Sequence, residues 1–293
     1  MKKVNFKWII LVTLGLCSLG IVLVLTSYAA PVFQSPVPTP STPGWIQIQI
    51  TPTPQPQPVL LPGATAGPAT LMTGLYGYWQ LNEADTNNRA DSSPAGNILT
   101  NIGGVSWTTN GRIGNASDFE RSNTQYLKIE SDQAVGLNFD YSLTMVGWLK
   151  RESTGSDMIL ASKYAFGTGI NDRAYRFQLT SDNKLRLIVS PDGAYLDDYS
   201  VIGGASLTST STWYHVAAVF DADAQALKLY LNGNLDADKA VSYNTVFQST
   251  APFMLGANLS DGAAAQTFDG LLDEWRVYNR ALSQSEIQTL MSQ

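Results

Sequence analysis

The side chains that could do chemistry in this chain are few and concentrated. One stretch, FDGLLDEWRVYNRALSQSEI (268–287), sets two carboxylates, Asp273 and Glu274, side by side. Read as a strand with side chains alternating across a sheet, it puts Leu271, Asp273, Trp275 and Val277 on one face. Leu272, Glu274, Arg276 and Tyr278 fall on the other. A carboxylate within an otherwise apolar face needs partners, because burying an isolated charge is costly. Pointing opposite ways, the adjacent acids do not form the carboxyl pair, roughly 5–5.5 Å apart, that a retaining glycosidase uses. A second stretch, SPDGAYLDDYS (190–200), gathers Asp192, Asp197 and Asp198 with Tyr195 and Tyr199. Aromatic rings meet sugar C–H groups and carboxylates accept sugar hydroxyls, so this is a candidate sugar platform or calcium loop. Tyr164 and Phe166 in the glycine-rich SKYAFGTGIND (162–172) are a similar pair. For both stretches the alternative is a solvated loop between strands. His215 is the only histidine and lies in WYHVAAVF, apolar on both faces, where it reads as structural. One histidine and one cysteine, Cys17, leave no zinc set and a single base for a Ser-His-Asp arrangement. The inventory favours binding over catalysis.

The elements that must position these residues are short strands. From residue 71 onward, segments rich in β-branched and aromatic residues recur between turn signals: 75–81, 124–130, 141–151, 158–164, 174–180, 184–190, 212–221, 226–233, 253–257 and the stretch above. The turns carry Ser181-Asp182-Asn183, Pro191-Asp192-Gly193 and Asn232-Gly233-Asn234. Without a repeat of 20–50 residues, this pattern predicts an all-β, two-sheet antiparallel jelly-roll sandwich over 71–293. One short C-terminal helix is expected, opened by a Ser283/Glu286 capping box with Ile287, Leu290 and Met291 on its apolar stripe.

The first seventy residues differ in kind. Lys2, Lys3 and Lys7 precede an uncharged apolar run, 8–25, followed by SYAAP. Residues 1–30 read as a cleaved signal peptide or an uncleaved single-pass membrane anchor; both imply export to the cell surface or beyond. Eleven of the 14 prolines lie between Pro31 and Pro68, making 31–70 a Pro/Thr-rich linker. Its one strand-like interruption is GWIQIQI (44–50). From residue 71 there are 15 basic against 24 acidic residues, a net charge of −9. Such a surface argues against nucleic acid, whose affinity comes from Lys and Arg contacts to phosphate.

Four blocks carry a resemblance. GLYGYWQLNEADTNNRADSSPAGN, SLTMVGWLK, WYHVAAVFDADAQALKLYLNG and FDGLLDEWRVYNRALSQSEIQTL resemble, in order, the motifs of laminin-G-like, concanavalin A-like jelly-roll domains of bacterial surface proteins. The resemblance covers roughly 75–290 and implies the sandwich fold. It also implies a structural calcium near Asp91 and Asp273, with Asp118 a third ligand; the alternative for Asp273 is satisfaction by backbone N–H groups or an arginine. The retaining glucanases of this architecture carry an E-x-D-x-x-E or E-x-D-x-E run, absent here. The resemblance therefore implies a non-enzymatic module whose partner is a glycan or a cell-surface protein. A spacer module of a cell-envelope assembly, and then a glycoside hydrolase-like enzyme, are the other readings.

Overall fold

The computed structural model describes residues 69–85 and 87–293. The apolar segment with its run 8–25, Cys17, and the linker with GWIQIQI fall on residues 1–68 and lie outside the described residues.

In chain order the strands are β1 (Leu75–Trp79), β2 (Thr100–Ile102), β3 (Ser106–Thr108), β4 (Ala116–Phe119), β5 (Tyr126–Ile129), β6 (Leu143–Arg151), β7 (Met158–Gly167), β8 (Ile170–Leu179), β9 (Lys184–Gly193), β10 (Ser200–Ser206), β11 (Tyr214–Asp221), β12 (Ala226–Leu231), β13 (Asn234–Ala240), β14 (Phe253–Leu255), β15 (Asn258–Ser260), β16 (Ala263–Ala265) and β17 (Gly270–Tyr278). Helix α1 (Ala69–Met72) precedes them and α2 (Gln284–Met291) comes after. The first sheet runs β13-β12-β11-β6-β17-β4-β3, with β1 also on β17. The second runs β10-β9-β8-β7-β14-β5-β2, with β15 and β16 beside β7. Every pairing is antiparallel except β15 on β7. This is the expected sandwich.

Alternation builds the core. Leu143, Met145 and Leu149 of β6 and Val216, Ala218 and Phe220 of β11 face Tyr175, Phe177 and Leu179 of β8 and Leu185, Leu187 and Val189 of β9. Trp79 stacks on Phe253 with ring centroids 5.3 Å apart, and Trp275 on Phe177 at 6.3 Å. Gly147 makes room for the second stack, since a Cβ there would lie 1.8 Å from the Trp275 ring. On the outer face of the first sheet, Leu71, Leu75, Val146, Ala217, Val219, Tyr230 and Tyr278 pack with Leu282, Ile287 and Leu290. Helix α2 is held there with its capping box formed: Ser283 accepts the Glu286 N–H and donates its own to Glu286. Met291 stays partly exposed at the helix end.

The closing strand departs from simple alternation. Glu274 takes φ of 54°, and the register against β6 shifts between Asp273 and Arg276. This bulge puts Leu272, Trp275 and Val277 on the inter-sheet side, while Leu271 stays outside the main core. Asp273 is therefore not on the core face with Trp275. It lies on the outer face, fully buried, opposite Trp148. Its Oδ2 accepts the N–H groups of Arg112 (2.7 Å) and Ile113 (2.9 Å), while Oδ1 is buried without a partner. Glu274 turns to the same side: its Oε2 accepts the Tyr78 hydroxyl (2.7 Å) and the Arg276 guanidinium (2.8 Å), and that guanidinium lies 3.9 Å over the Tyr78 ring. The two acids thus share the outer side rather than pointing opposite ways.

Burial, reinforced by Glu274, raises the Asp273 carboxyl to about 7 against the pull of its backbone donors. The folded state therefore holds a proton that the unfolded chain has released by about pH 4. The associated stability is full below pH 4 and is lost as pH rises to 7. Replacing Asp273 with Asn keeps an acceptor for both N–H groups and removes the titration. In thermal melts, the melting temperature of Asp273→Asn minus that of the parent should increase steadily between pH 4 and pH 7. A difference independent of pH would show that Asp273 is ionised in the fold.

Candidate ligand-binding face

Alternation on the second sheet leaves one side turned away from the core. In β8, Tyr175, Phe177 and Leu179 face inward, so Arg176 and Gln178 face out. Register then assembles a patch. Arg176 sits between Ser162 of β7 and Ile188 of β9, Gln178 sits opposite Arg186, and Tyr164 opposite Arg173. The Arg176 guanidinium lies 4.5 Å over the Tyr164 ring, and Arg173 lies 5.7 Å from Tyr164 and 5.8 Å from Phe166. Tyr164 and Phe166 meet edge to face at 6.0 Å. Arg186 stacks at 5.4 Å on Tyr195, donates to its hydroxyl, and reaches Ser200 Oγ at 3.0 Å. Tyr195 in turn donates to Asp197 Oδ1 at 2.6 Å.

Four of the seven residues expected to bind a ligand are thus brought together: Tyr164, Phe166, Tyr195 and Asp197. The other three are not. Asp192 Oδ2 accepts the Tyr199 hydroxyl at 2.9 Å, and the Tyr199 ring packs at 5.3 Å on Tyr243 at the core margin. That pair pins the turn. Asp198 is solvated, 3.7 Å from Lys239. Sequence patterning misses the three arginines: each sits at the polar position of a strand whose alternation reads as ordinary, and alternation does not say that three such positions adjoin.

The floor of this face is polar and incompletely bonded. Gln178 is fully buried with neither amide atom bonded, and the Nε atoms of Arg173, Arg176 and Arg186 are likewise buried without acceptors. Arg176, 7% exposed, bonds Gln266 Oε1 at 3.2 Å, and burial lowers its pKa. Burial raises the Tyr164 phenol against the pull of Arg176 and Arg173. Tyr195, 37% exposed, forms the open rim.

The three acids expected at a metal do not act as a set. Asp91 accepts the N–H groups of Tyr78, Ser93 and Asn97 at 2.7–2.8 Å and the Ser93 hydroxyl at 2.7 Å, so both oxygens are engaged in tying the 91–97 turn to β1. Asp273 is held under the Arg112–Ile113 backbone. Asp118 instead stands with Glu120 and Glu152, one carboxylate oxygen of each within 4.8 Å of the others, and its Oδ1 is buried without a partner. Burial raises Asp118 and Glu152, and their acidic neighbours add to the shift.

A separate cavity of about 510 Å³ on the first sheet is lined by Arg112, Trp148, Trp213, Asn232 and Met291. Its polar groups are engaged within the fold. Arg112 stacks 4.5 Å over Trp148, and Asn232 Oδ1 accepts the His215 N–H at 3.0 Å. His215 packs edge-on against Trp148 at 5.0 Å, and its Nδ1 is buried without a partner. Burial, with Arg276 and Arg112 nearby, lowers its pKa to about 3, so it stays neutral at physiological pH.

No curated protein matches the chain. Solved structures do. The binding domain of Paraclostridial Mosquitocidal Protein 1 superposes with a TM-score of 0.58 at 16% identity, over 75% of this chain and 52% of that one. The chain therefore spans about half the length of that domain. Domain 4 of a GH43 extracellular arabinanase from Geobacillus stearothermophilus, solved in complex with arabinotriose, gives 0.52 at 21% identity, over 74% of this chain and 98% of that domain. The Ruminococcus gnavus IT-sialidase CBM40 bound to α2,3 sialyllactose gives 0.50 at 19% identity, over 60% and 96%. At such identities the likeness is one of fold. The sequence itself carries the closer relationship, since the family model matches residues 121–288, more than half the chain and three of the four motif blocks. The chain belongs to the concanavalin A-like lectin/glucanases superfamily, in its laminin-G-type family.

Proposed function

We propose that this protein is an exported, non-enzymatic module that binds carbohydrate on the outer face of its second sheet. One observation carries the reading: buried, unbonded polar atoms of Gln178 and three arginines share this face with the Tyr164, Phe166 and Tyr195 rings. Folding alone rarely leaves such groups without partners, and a ligand rich in hydroxyls can supply them. Rings give sugars the apolar faces they need. Solved relatives of the same fold include complexes with arabinotriose and sialyllactose, which supports a saccharide ligand. Export rests on the basic N-terminus and the apolar run 8–25, with 31–70 as the stalk.

A glycan array probed with the purified full chain should give saccharide hits. Tyr195→Ala and Phe166→Ala should each weaken binding roughly 3- to 10-fold, the about 0.5–1.5 kcal/mol of one aromatic contact. Both rings are partly exposed, so the melting temperature should hold. Binding to no sugar, with or without calcium, would move the protein to the spacer reading.

A structural calcium fits Asp118, Glu120 and Glu152 better than Asp91 and Asp273. The unbonded Asp118 Oδ1 fits a cation, whereas Asp91 has no free oxygen. Calcium takes about six to eight oxygens, so carbonyls and water would complete the shell. EDTA should lower the melting temperature of the parent and leave Asp118→Asn unchanged, while Asp91→Asn should keep the EDTA response. A parent melting curve indifferent to EDTA removes calcium.

A further inference from the structure

The glycan reading does not account for the charge of the face. From residue 71 onward acids outnumber bases 24 to 15, yet Arg173, Arg176 and Arg186 converge on one side of one sheet. A desolvated guanidinium commonly recruits a carboxylate, although the fully buried Arg151 is held instead by the Ser153 and Leu207 carbonyls. Arg276 pairs with Glu274 and Arg280 with Glu286, each at 2.8 Å. Here the pairing fails. Among the described residues neither Arg173 nor Arg176 has a carboxylate oxygen within 4.0 Å, and Arg186 reaches Asp197 only at 3.9 Å. Their direct partners are neutral instead: Asn171 Oδ1 with the Tyr164 and Phe166 rings for Arg173, and Gln266 Oε1 with the Tyr164 ring for Arg176, Asp157 standing one step further off on Gln266 Nε2.

Rings and amides orient a guanidinium without neutralising it. Two guanidiniums at the Tyr164 ring thus carry charge that no carboxylate within 4.0 Å among the described residues offsets, near an amide, Gln178, whose donor and acceptor are both buried and unbonded.

We infer that the ligand of this face is an acidic saccharide, whose carboxylate is taken by Arg173 and Arg176 while its ring packs on Phe166 and Tyr195. The inference rests on the glycan reading and narrows it. A planar carboxylate matches the guanidinium fork, so two parallel N–H···O bonds can form. Those bonds form in a partly desolvated site, where they are stronger than in water. A neutral sugar would leave both charges uncompensated.

The full chain is titrated against matched probes: lactose with and without a terminal sialic acid, oligogalacturonate and its carboxyl-reduced neutral counterpart, and sulfated lactose. At least one carboxylated probe should bind about tenfold tighter than its neutral partner, the scale of one charge-assisted hydrogen bond. Raising salt from about 0.05 to about 0.5 M should shrink that ratio. Arg176→Gln and Arg173→Gln should each bring it to within about threefold, and Arg176→Lys, which keeps charge without the fork, should restore it only in part. Arg173 is less buried than Arg176, so its variant keeps the test open if Arg176→Gln does not fold. Equal affinity for acidic and neutral members, or a preference that survives both Gln substitutions, overturns the inference and leaves glycan binding standing. Sulfated lactose bound as tightly as the sialylated form overturns the carboxylate assignment. Failure to bind any saccharide removes both readings.

Discussion

The arrangement of the first sheet depends on the left-handed backbone at Glu274. Strand β17 is hydrogen-bonded to β1, β4 and β6, so its side-chain directions fix those of its neighbours. Strict alternation would put Asp273 and Trp275 on one face, burying the acid between the sheets or expelling the indole. The extra residue avoids both outcomes: Trp275 stacks on Phe177, and Asp273 meets two backbone N–H groups outside. Left-handed strain at a non-glycine residue costs about 1–3 kcal/mol. A carboxyl between the sheets would lose its two backbone donors even when protonated, and expelling Trp275 would forfeit its stack on Phe177, so the bulge wins.

The bulge also makes the two outer faces of the sandwich unlike. On the first sheet, Val146, Tyr230 and Tyr278 are apolar enough to hold α1 and α2, and the Tyr78, Glu274 and Arg276 group beside them is internally paired. The Glu274 and Arg276 charges thus have partners within the protein. The second sheet carries Arg173, Arg176, Arg186 and Gln178 with unbonded donors beside aromatic rings. One face has the Glu274 and Arg276 charges paired within the chain; the other keeps polar groups that the chain does not pair.

The sandwich was legible in the sequence because its long strands are dense in β-branched and aromatic residues and bounded by turn signals, which can be read strand by strand. Strands β6 and β11, with Leu143 to Leu149 and Val216 to Phe220, needed no tertiary information. The short β2, β3, β15 and β16 did, since three residues hold no period. The bulge was hidden because a period-2 reading has no place for an inserted residue. The site was half legible: Tyr164, Phe166, Tyr195 and Asp197 announce themselves as aromatics and acids near turns. Asp192 and Tyr199 share the same segment but turn toward Ser190 and Tyr243, a direction set by the 3-10 turn at Asp197–Tyr199. Arg173, Arg176 and Arg186 adjoin only through the β7–β8–β9 register.

The carboxylates show why position outweighs residue type. Asp91 lies in a tight turn dense in N–H donors and accepts four hydrogen bonds, so the fold neutralises its demand locally. Asp118 lies on β4 with the Ser106 hydroxyl as a donor and with Glu120 and Glu152 close by, so its surroundings add more charge than donors. The chain thus holds two unmatched charge groups, acids beside β4 and arginines on β8 and β9. Mutual pairing would satisfy both at no cost in residues. They stand instead on different sheets, each facing away from the core, where neither can neutralise the other. A sequence selected for stability alone would have mixed them, because like charges held together raise the free energy of the fold. Their separation is what the proposed cation and the proposed acidic saccharide would each require.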